Sequence, residues 1–398
     1  MNCKMPRAVF FATYSTRTGR NREEPGGVRV KLTSTPNQSS PYQSQFYSDP
    51  IYPSFAKRIL NWFDTGGRHD LPWQQNPTPY RIWISEIMLQ QTQVATVIPY
   101  YHRFMNRFAS VQSLATADID QVLHLWTGLG YYARARNLHQ TAILIVENYQ
   151  GVFPTTVEEL KSLPGIGKST AGAIVALAMN ISAPILDGNV KRVLSRVFTI
   201  DGWPEQVNTK NQLWEIAERL TPSERVAEYT QAMMDLGATV CTRANPACDR
   251  CPFNSHCKAY QQECIANYPG KKPRKALPVK SVTMFILQNE AGEVLLEKRP
   301  AQGIWGSLYS LPEGQSETML PQLNHIQVSI ENVSKLDPLR HSFSHYHLDI
   351  SPVRFSARRI RDAVAEKDRW LWYPLDHSIE VGLAAPIKKL LSQLSHNQ

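Results

Sequence analysis

The stretch that most constrains how this chain can fold is Leu163 to Ile174, which reads L-P-G-I-G-K-S-T-A-G-A-I. Pro164 and two glycines interrupt an apolar run, so one helix should stop near Leu163 and a second should start at Ser169 or Thr170. The predicted unit is a helix-hairpin-helix. Gly165 and Gly167 carry no Cβ and can take positive φ, which lets consecutive backbone N–H groups point at one anion at a helix N-terminus. A plain helix-helix turn would use the same two glycines. The surrounding residues decide between these readings.

The chain has 398 residues, enough for two or three domains. Its 43 Lys and Arg outnumber 34 Asp and Glu for a net charge of +9, which points to a polyanionic partner, with nucleic acid the leading candidate. No apolar run reaches the roughly 18 residues that would span a bilayer. A soluble protein with no membrane role is therefore expected; its expected form is a monomer in the cytoplasm, at the bacterial nucleoid. From Phe55 to Lys258 apolar residues recur at three- and four-residue spacing, with breaks at Gly66-Gly67, Pro77 to Pro79, Gly128 to Gly130, Gly165 to Gly167 and Gly188. That pattern predicts an all-α domain of roughly ten short helices.

Near the end of that domain, Cys241, Cys248, Cys251 and Cys257 follow the spacing Cys-x6-Cys-x2-Cys-x5-Cys, while Cys3 and Cys264 stand apart. Clustered thiols of this kind indicate metal ligation in a reducing compartment rather than a disulfide framework. Four thiolates suit either tetrahedral zinc or a [4Fe–4S] cluster, and with all four positions supplied by protein the group would staple a loop rather than catalyse.

Residues 1–49 are rich in Ser, Thr, Pro, Gln and Arg, and a disordered extension is expected there. Its basic start is offset by Glu23 and Glu24, which argue against a transit peptide. The helical domain is assigned to residues 50–270 and a basic, proline-containing linker to 271–278. Residues 279–398 should form an α+β domain, with strands at Val279 to Leu287, Glu293 to Glu297 and Leu348 to Phe355 and a closing helix near Ala385 to Leu394.

Two carboxylates are candidates for chemistry. Trp83 to Val94 reads as one amphipathic helix on which Glu86 shares a largely apolar face with Ile82, Trp83, Leu89 and Gln90. Burial there would raise the pKa of Glu86 and keep it protonated, as a general acid requires. Asp187 lies in P-I-L-D-G-N-V-K-R, where either it or Asn189 reads as a cap for a helix starting near Val190. Held by that turn, Asp187 could also stabilise an oxocarbenium-like sugar as a glycosidic bond breaks. In the last third, Arg340 to Leu348 reads as one loop of aromatic, hydroxyl and imidazole groups suited to stacking on a base.

With these residues in place, the chain from Phe55 to its C-terminus resembles the adenine DNA glycosylases of the endonuclease III superfamily. The similarity is carried by L-P-W-Q at Leu71, the Glu86 helix, L-W-T-G-L-G-Y-Y-A-R-A-R from Leu125, the hairpin and L-D-G-N-V-K-R. It continues through Q-A-M-M-D-L-G from Gln231, the four cysteines, Y-P-G-K-K-P from Tyr268 and F-S-H at Phe343. The resemblance implies two helical lobes with a DNA groove between them, contacted by Gly165, Gly167 and Lys168 of the hairpin. It also implies that Glu86 protonates N7 of an extruded adenine while Asp187 stabilises the sugar cation.

Gln91 and Tyr131 match positions that fill or wedge the duplex, and Trp73 and Gln231 match residues lining the adenine pocket. The four cysteines match ligands of a [4Fe–4S] cluster whose loop touches the DNA backbone. Ser169 occupies the position where strand-cutting relatives carry a Schiff-base lysine, which implies a monofunctional hydrolase; a contribution of this serine to the water or leaving group is a further candidate role. Gly303 to Gly314 resembles the turn before the helix of a Nudix hydrolase, but Q-S-E-T-M-L-P follows it, and Pro321 would break such a helix. A Nudix-like domain used for binding is expected, with Phe343, Ser344 and His345 reading 8-oxoguanine opposite the adenine. The implied partner is duplex DNA with adenine facing 8-oxoguanine or guanine. A pyrimidine-lesion glycosylase with lyase activity and a non-catalytic DNA-binding protein are the rival readings.

Overall fold

The computed structural model describes residues 51–272, 276–315, 326–359 and 369–395. The N-terminal extension, the centre of the basic linker and the Pro321 segment lie outside them.

Twelve helices fill the first part: α1 (Tyr52–Gly66), α2 (Pro79–Leu89), α3 (Val94–Arg107), α4 (Val111–Ala115), α5 (Ile119–Trp126), α6 (Ala133–Tyr149), α7 (Val157–Lys161), α8 (Lys168–Met179), α9 (Gly188–Val197), α10 (Val207–Leu220), α11 (Val226–Asp235) and α12 (Lys258–Gln261). Every predicted break falls at a helix end. The N-termini are fixed locally, with Thr78, Ser110, Asp118, Thr156 and Asp187 each accepting a backbone N–H of the following turn. Helices α2 to α8 close around one core that includes Trp83, Phe104 and Trp126. Helix α1 joins α9 to α11 around a second core with Phe55, Phe198 and Phe253. Burial of these aromatic rings makes two lobes, with α8 contributing apolar residues to both.

Two expectations in this region need correction. Trp83 to Val94 is not one helix: α2 ends at Leu89, Gln91 takes φ 58°, and α3 begins at Val94. Of the hairpin glycines, Gly165 has φ 78° but Gly167 has φ −88°, because Gly167 is the N-cap of α8 and an N-cap takes extended dihedrals. Open space, rather than backbone conformation, distinguishes Gly167, since a Cβ there would meet nothing within 4 Å.

The second part is a mixed sheet. Its strands are β1 (Val279–Gln288), β2 (Val294–Lys298), β3 (Tyr309–Ser310), β4 (Glu313–Gly314), β5 (Ile326–Lys335), β6 (Leu339–Ser342), β7 (His347–Arg359) and β8 (Trp370–Tyr373), closed by helix α13 (Ala385–Ser395). The main path runs β3-β2-β1-β7-β5, with β1 and β7 parallel and every other pairing antiparallel. Alternate residues of β1 serve opposite faces: Met284 and Ile286 join the core of the first lobe, whereas Phe285 and Leu287 pack with Val353 and Phe355. The stretch Arg340 to Leu348 is not a single loop. Arg340 pairs with Asp349 and Ser342 with His347, so β6 and β7 form a hairpin whose turn is only Phe343 to Tyr346. Among the described residues no helix is long and apolar enough to cross a membrane.

Candidate active site

Between the lobes lies a cleft of about 810 Å³ that brings together Trp73, Glu86, Gln91, Ser169, Asp187 and Gln231. Glu86 comes from the last turn but one of α2, where its neighbours Ile82 and Trp83 are buried and its carboxyl is turned to the cleft wall. Asp187 caps α9, its Oδ1 accepting Val190 N–H at 2.7 Å and its Oδ2 accepting Asn189 Nδ2 at 3.0 Å. The capping and the catalytic readings of Asp187 are thus compatible. Ser169, in the first turn of α8, accepts the Leu186 N–H at 3.0 Å and ties the hairpin to the strand-like segment that delivers Asp187.

The two carboxylates have unequal surroundings. Burial pushes Glu86 up to about 8, with the nearby Asp187 charge a secondary cause. Burial also raises Asp187, but the Val190 and Asn189 donors and the Arg192 guanidinium oppose that rise. Asp187 therefore ionises first and Glu86 keeps its proton longest. The far wall is braced by Asp235, fully buried, which accepts Gln231 Nε2 at 2.8 Å and Arg68 Nη2 at 2.5 Å. Trp73 is held edge-on against Tyr101 at 5.6 Å.

Gln91 and Tyr131 sit on two loops knotted by one side chain. Arg134, 9% exposed, donates from Nη1 to the carbonyls of Ile87, Met88 and Gln90 at 2.8, 2.9 and 2.6 Å. Its Nη2 reaches the carbonyls of Leu129 and Gly130 at 3.3 and 3.1 Å. The helix-ending carbonyls of α2 are thereby satisfied, which is why α2 stops at Leu89 and the chain turns at Gln91. Both loop residues adopt positive φ, 58° at Gln91 and 51° at Tyr131, and Tyr131 is half exposed. Gly165, Gly167 and Lys168 lie outside the cleft lining; Lys168 Nζ is paired with Glu218 at 2.7 Å and lies 4.1 Å from the Trp214 ring centroid.

Cys241, Cys248, Cys251 and Cys257 line one cavity, none of them in a disulfide. Among the described residues no three His, Cys, Asp or Glu side chains converge tightly enough for a single ion. Burial pushes Cys251 up to about 12 and Cys257 up to about 11, so a bound cation is needed to hold them as thiolates. Arg196 donates to Cys241 Sγ at 3.3 Å and to the Thr242 carbonyl at 2.7 Å. Arg192 donates to the Cys241 carbonyl at 2.7 Å and to Asn189 Oδ1 at 2.8 Å. These bonds tie the cysteine loop to the helix that Asp187 caps.

Phe343, Ser344 and His345 lie at the β6–β7 turn, where Ser344 and His345 are exposed and Phe343 packs on Trp305 and His341. Arg68, Arg134, Arg192 and Asp235 had no role in the sequence reading, and Asn189, the alternative cap, instead donates to the capping Asp187. Only Asp235 left a local signal, four residues after Gln231 on one helical face.

Comparisons with known proteins bear on the fold and the family. A model of the HhH-GPD superfamily base excision DNA repair proteins matches residues 84–219, and a NUDIX domain model matches residues 283–393. An adenine DNA glycosylase of Buchnera aphidicola is 39% identical over 344 residues, covering 86% of this chain and 98% of its own. The adenine DNA glycosylases of Rattus norvegicus and Homo sapiens are 34% and 32% identical, covering 80% and 83% of this chain and 73% and 72% of theirs. Among solved structures, a thermostable thymine-DNA glycosylase aligns at 28% identity and a TM-score of 0.49, covering 53% of this chain and 97% of that one. An adenine DNA glycosylase 39% identical along 98% of its own length, on top of a helix-hairpin-helix domain followed by a Nudix-like sheet, means that the chain belongs to the adenine DNA glycosylase family.

Proposed function

We propose that this chain hydrolyses the N-glycosidic bond of adenine placed opposite 8-oxoguanine or guanine in duplex DNA, leaving an abasic site in an uncut strand, as a step of base excision repair. The observation that carries the reading is the unequal carboxylate pair in one cleft, Glu86 protonated to about 8 and Asp187 held by donors that favour its charge. The glycosidic bond is out of reach in a stacked duplex, so the nucleotide must be flipped into the cleft. Trp73 and Gln231 then line the adenine. Glu86 protonates the base at N7, the C1′–N9 bond breaks with its electron pair leaving on the base, and Asp187 stabilises the cationic sugar until water adds.

Hydrolysis without strand cleavage is supported by the absence of an amine from the cleft lining. Ser169 occupies the lysine position, and Lys168 is turned to Glu218 and Trp214. The exposed Tyr131 and the Gln91 loop are suited to replacing the flipped base, and the space beside Gly167 admits a phosphate to the N-terminus of α8.

Cys241, Cys248, Cys251 and Cys257 are suited to hold a [4Fe–4S] cluster, because four thiols with no disulfide among them face one cavity and supply the four sulfur ligands that such a centre takes. When bound, such a cluster would brace the 242–247 loop against α9. The exposed Ser344 and His345 are suited to reading the edge of the base opposite the adenine.

The test is incubation with duplexes carrying adenine opposite 8-oxoguanine, guanine or thymine. Release of adenine from the first two, with strand breaks only after alkali, is expected. Efficient borohydride trapping of the enzyme on DNA would overturn the monofunctional reading.

A further inference from the structure

The start of α6 touches the sheet domain as well as the DNA-facing loops. Tyr131 is exposed, and Arg134 holds its loop. The two residues between and beyond them face the other way. Tyr132, 8% exposed, donates its phenolic hydrogen to the Leu383 carbonyl at 2.8 Å, and Arg136 Nη1 donates to the Gly306 carbonyl at 2.7 Å. Both acceptors belong to the main chain of the sheet domain.

Gly306 lies in a strained loop. Trp305 and Ser307 on either side of it have φ 54° and 62°, a region that side chains disfavour, and Gly303 has φ 94°. A Cβ on Gly306 would come within 2.3 Å of the Ala301 carbonyl oxygen. Such a loop persists only where its surroundings over-determine it, here through Ser307 N–H bonded to the Arg299 and Pro300 carbonyls and Arg136 bonded to Gly306. The side chain that the loop presents is Trp305, whose ring lies 5.7 Å from His341 and 5.5 Å from Phe343 between centroids. Contacts therefore run without a gap from Arg136 through Gly306 and Trp305 to Phe343.

We propose that Arg136 is a specificity-determining positioning residue, setting the Gly303–Ser307 loop, and through Trp305 the Phe343–Tyr346 turn, in register with the Tyr131 loop at the head of the same helix. The proposal rests on the reading that the sheet domain inspects the base opposite the adenine. A reader of that base and a wedge beside it must keep a fixed separation, and one rigid helix that grips both provides it.

The experiment uses the full chain and single-turnover excision on duplexes with adenine opposite 8-oxoguanine and opposite guanine. Arg136→Met should lower the ratio of the two rate constants about tenfold while changing the rate opposite guanine by about twofold or less, since a displaced reader loses its selective contact and the cleft is untouched. Arg136→Lys, which keeps an N–H donor, should restore most of the ratio. Amide exchange should quicken at 303–307 and 341–346 in the Met variant and stay unchanged in α8. An unchanged ratio in Arg136→Met, or an equal fall of both rates, would mean that Arg136 only packs the domains together. If the Met variant does not fold, Arg136→Gln, whose shorter side chain cannot span to the Gly306 carbonyl, carries the same ratio test. Failure of the wild-type protein to release adenine from either duplex would remove the functional reading instead, while the exchange pattern would still report the mechanical coupling.

Discussion

In the cleft the two carboxylates are half-buried and carried on helices, Glu86 within α2 and Asp187 at the N-cap of α9, whereas Ser344 and His345 stand exposed on a four-residue turn. Desolvation gives Glu86 a proton that an exposed glutamic acid would have lost. Ser344 and His345 gain nothing from burial and offer hydrogen-bonding groups to whatever docks on the turn. A rate should therefore depend steeply on the first region, and a preference between substrates modestly on the second.

The steepest test is Glu86→Gln. The amide keeps the shape but has no proton to give, so excision should fall by about 10²- to 10⁴-fold with DNA affinity nearly unchanged. Single-turnover kinetics beside a binding titration will check this, and near wild-type turnover would remove Glu86 from the chemistry. Asp187→Asn comes next. Asparagine caps a helix about as well as aspartate, so the fold should survive while the rate drops by roughly 10²- to 10³-fold through lost charge stabilisation. A large fall in melting temperature would instead make capping the main role.

A pH series sharpens the same contrast. Glu86 must be protonated to act, so the rate should decline about tenfold per unit as pH rises above the pKa near 8, and fall at the acid end as Asp187 takes up a proton. The stability effect has a definite sign. The folded chain holds the Glu86 proton between its ordinary value of 4.5 and about 8, so the native state loses stability as pH rises through that window. Thermal melts should show Glu86→Gln gaining on the wild type from pH 5 to pH 9, and parallel curves would contradict burial as the cause. The smallest effect belongs to the turn. Ser344→Ala with His345→Ala should reduce the preference for adenine opposite 8-oxoguanine over guanine by about tenfold, the value of one or two selective hydrogen bonds, with little change in maximal rate. If the ratio holds, reading of the opposite base moves to the helical lobes.

Much of the molecule was written in short-range signals. Glycines and prolines marked the helix ends, the Asp187-Gly-Asn189 turn announced a cap just ahead of α9, and the extent of β1 and the length of α13 were legible because each depends on neighbours a few residues away. The four cysteines could be grouped by spacing alone. Resemblance to a family then assigned Glu86 and Asp187 to one reaction. Only the folded chain decided the rest. Strand β5 was missed because its pairing with β7 joins residues far apart in the chain, and the Arg340 stretch because its polar and imidazole side chains carry no alternating apolar pattern. The Trp83 to Val94 helix was drawn too long because its stop comes from Arg134, a residue of another helix that takes up the carbonyls of Ile87, Met88 and Gln90. The same limit applies to the proton on Glu86. An apolar helical face suggested burial, but the two lobes and the Asp187 charge across the cleft set how far the pKa rises, since desolvation and Coulomb energy depend on what lies nearby in space and not along the chain.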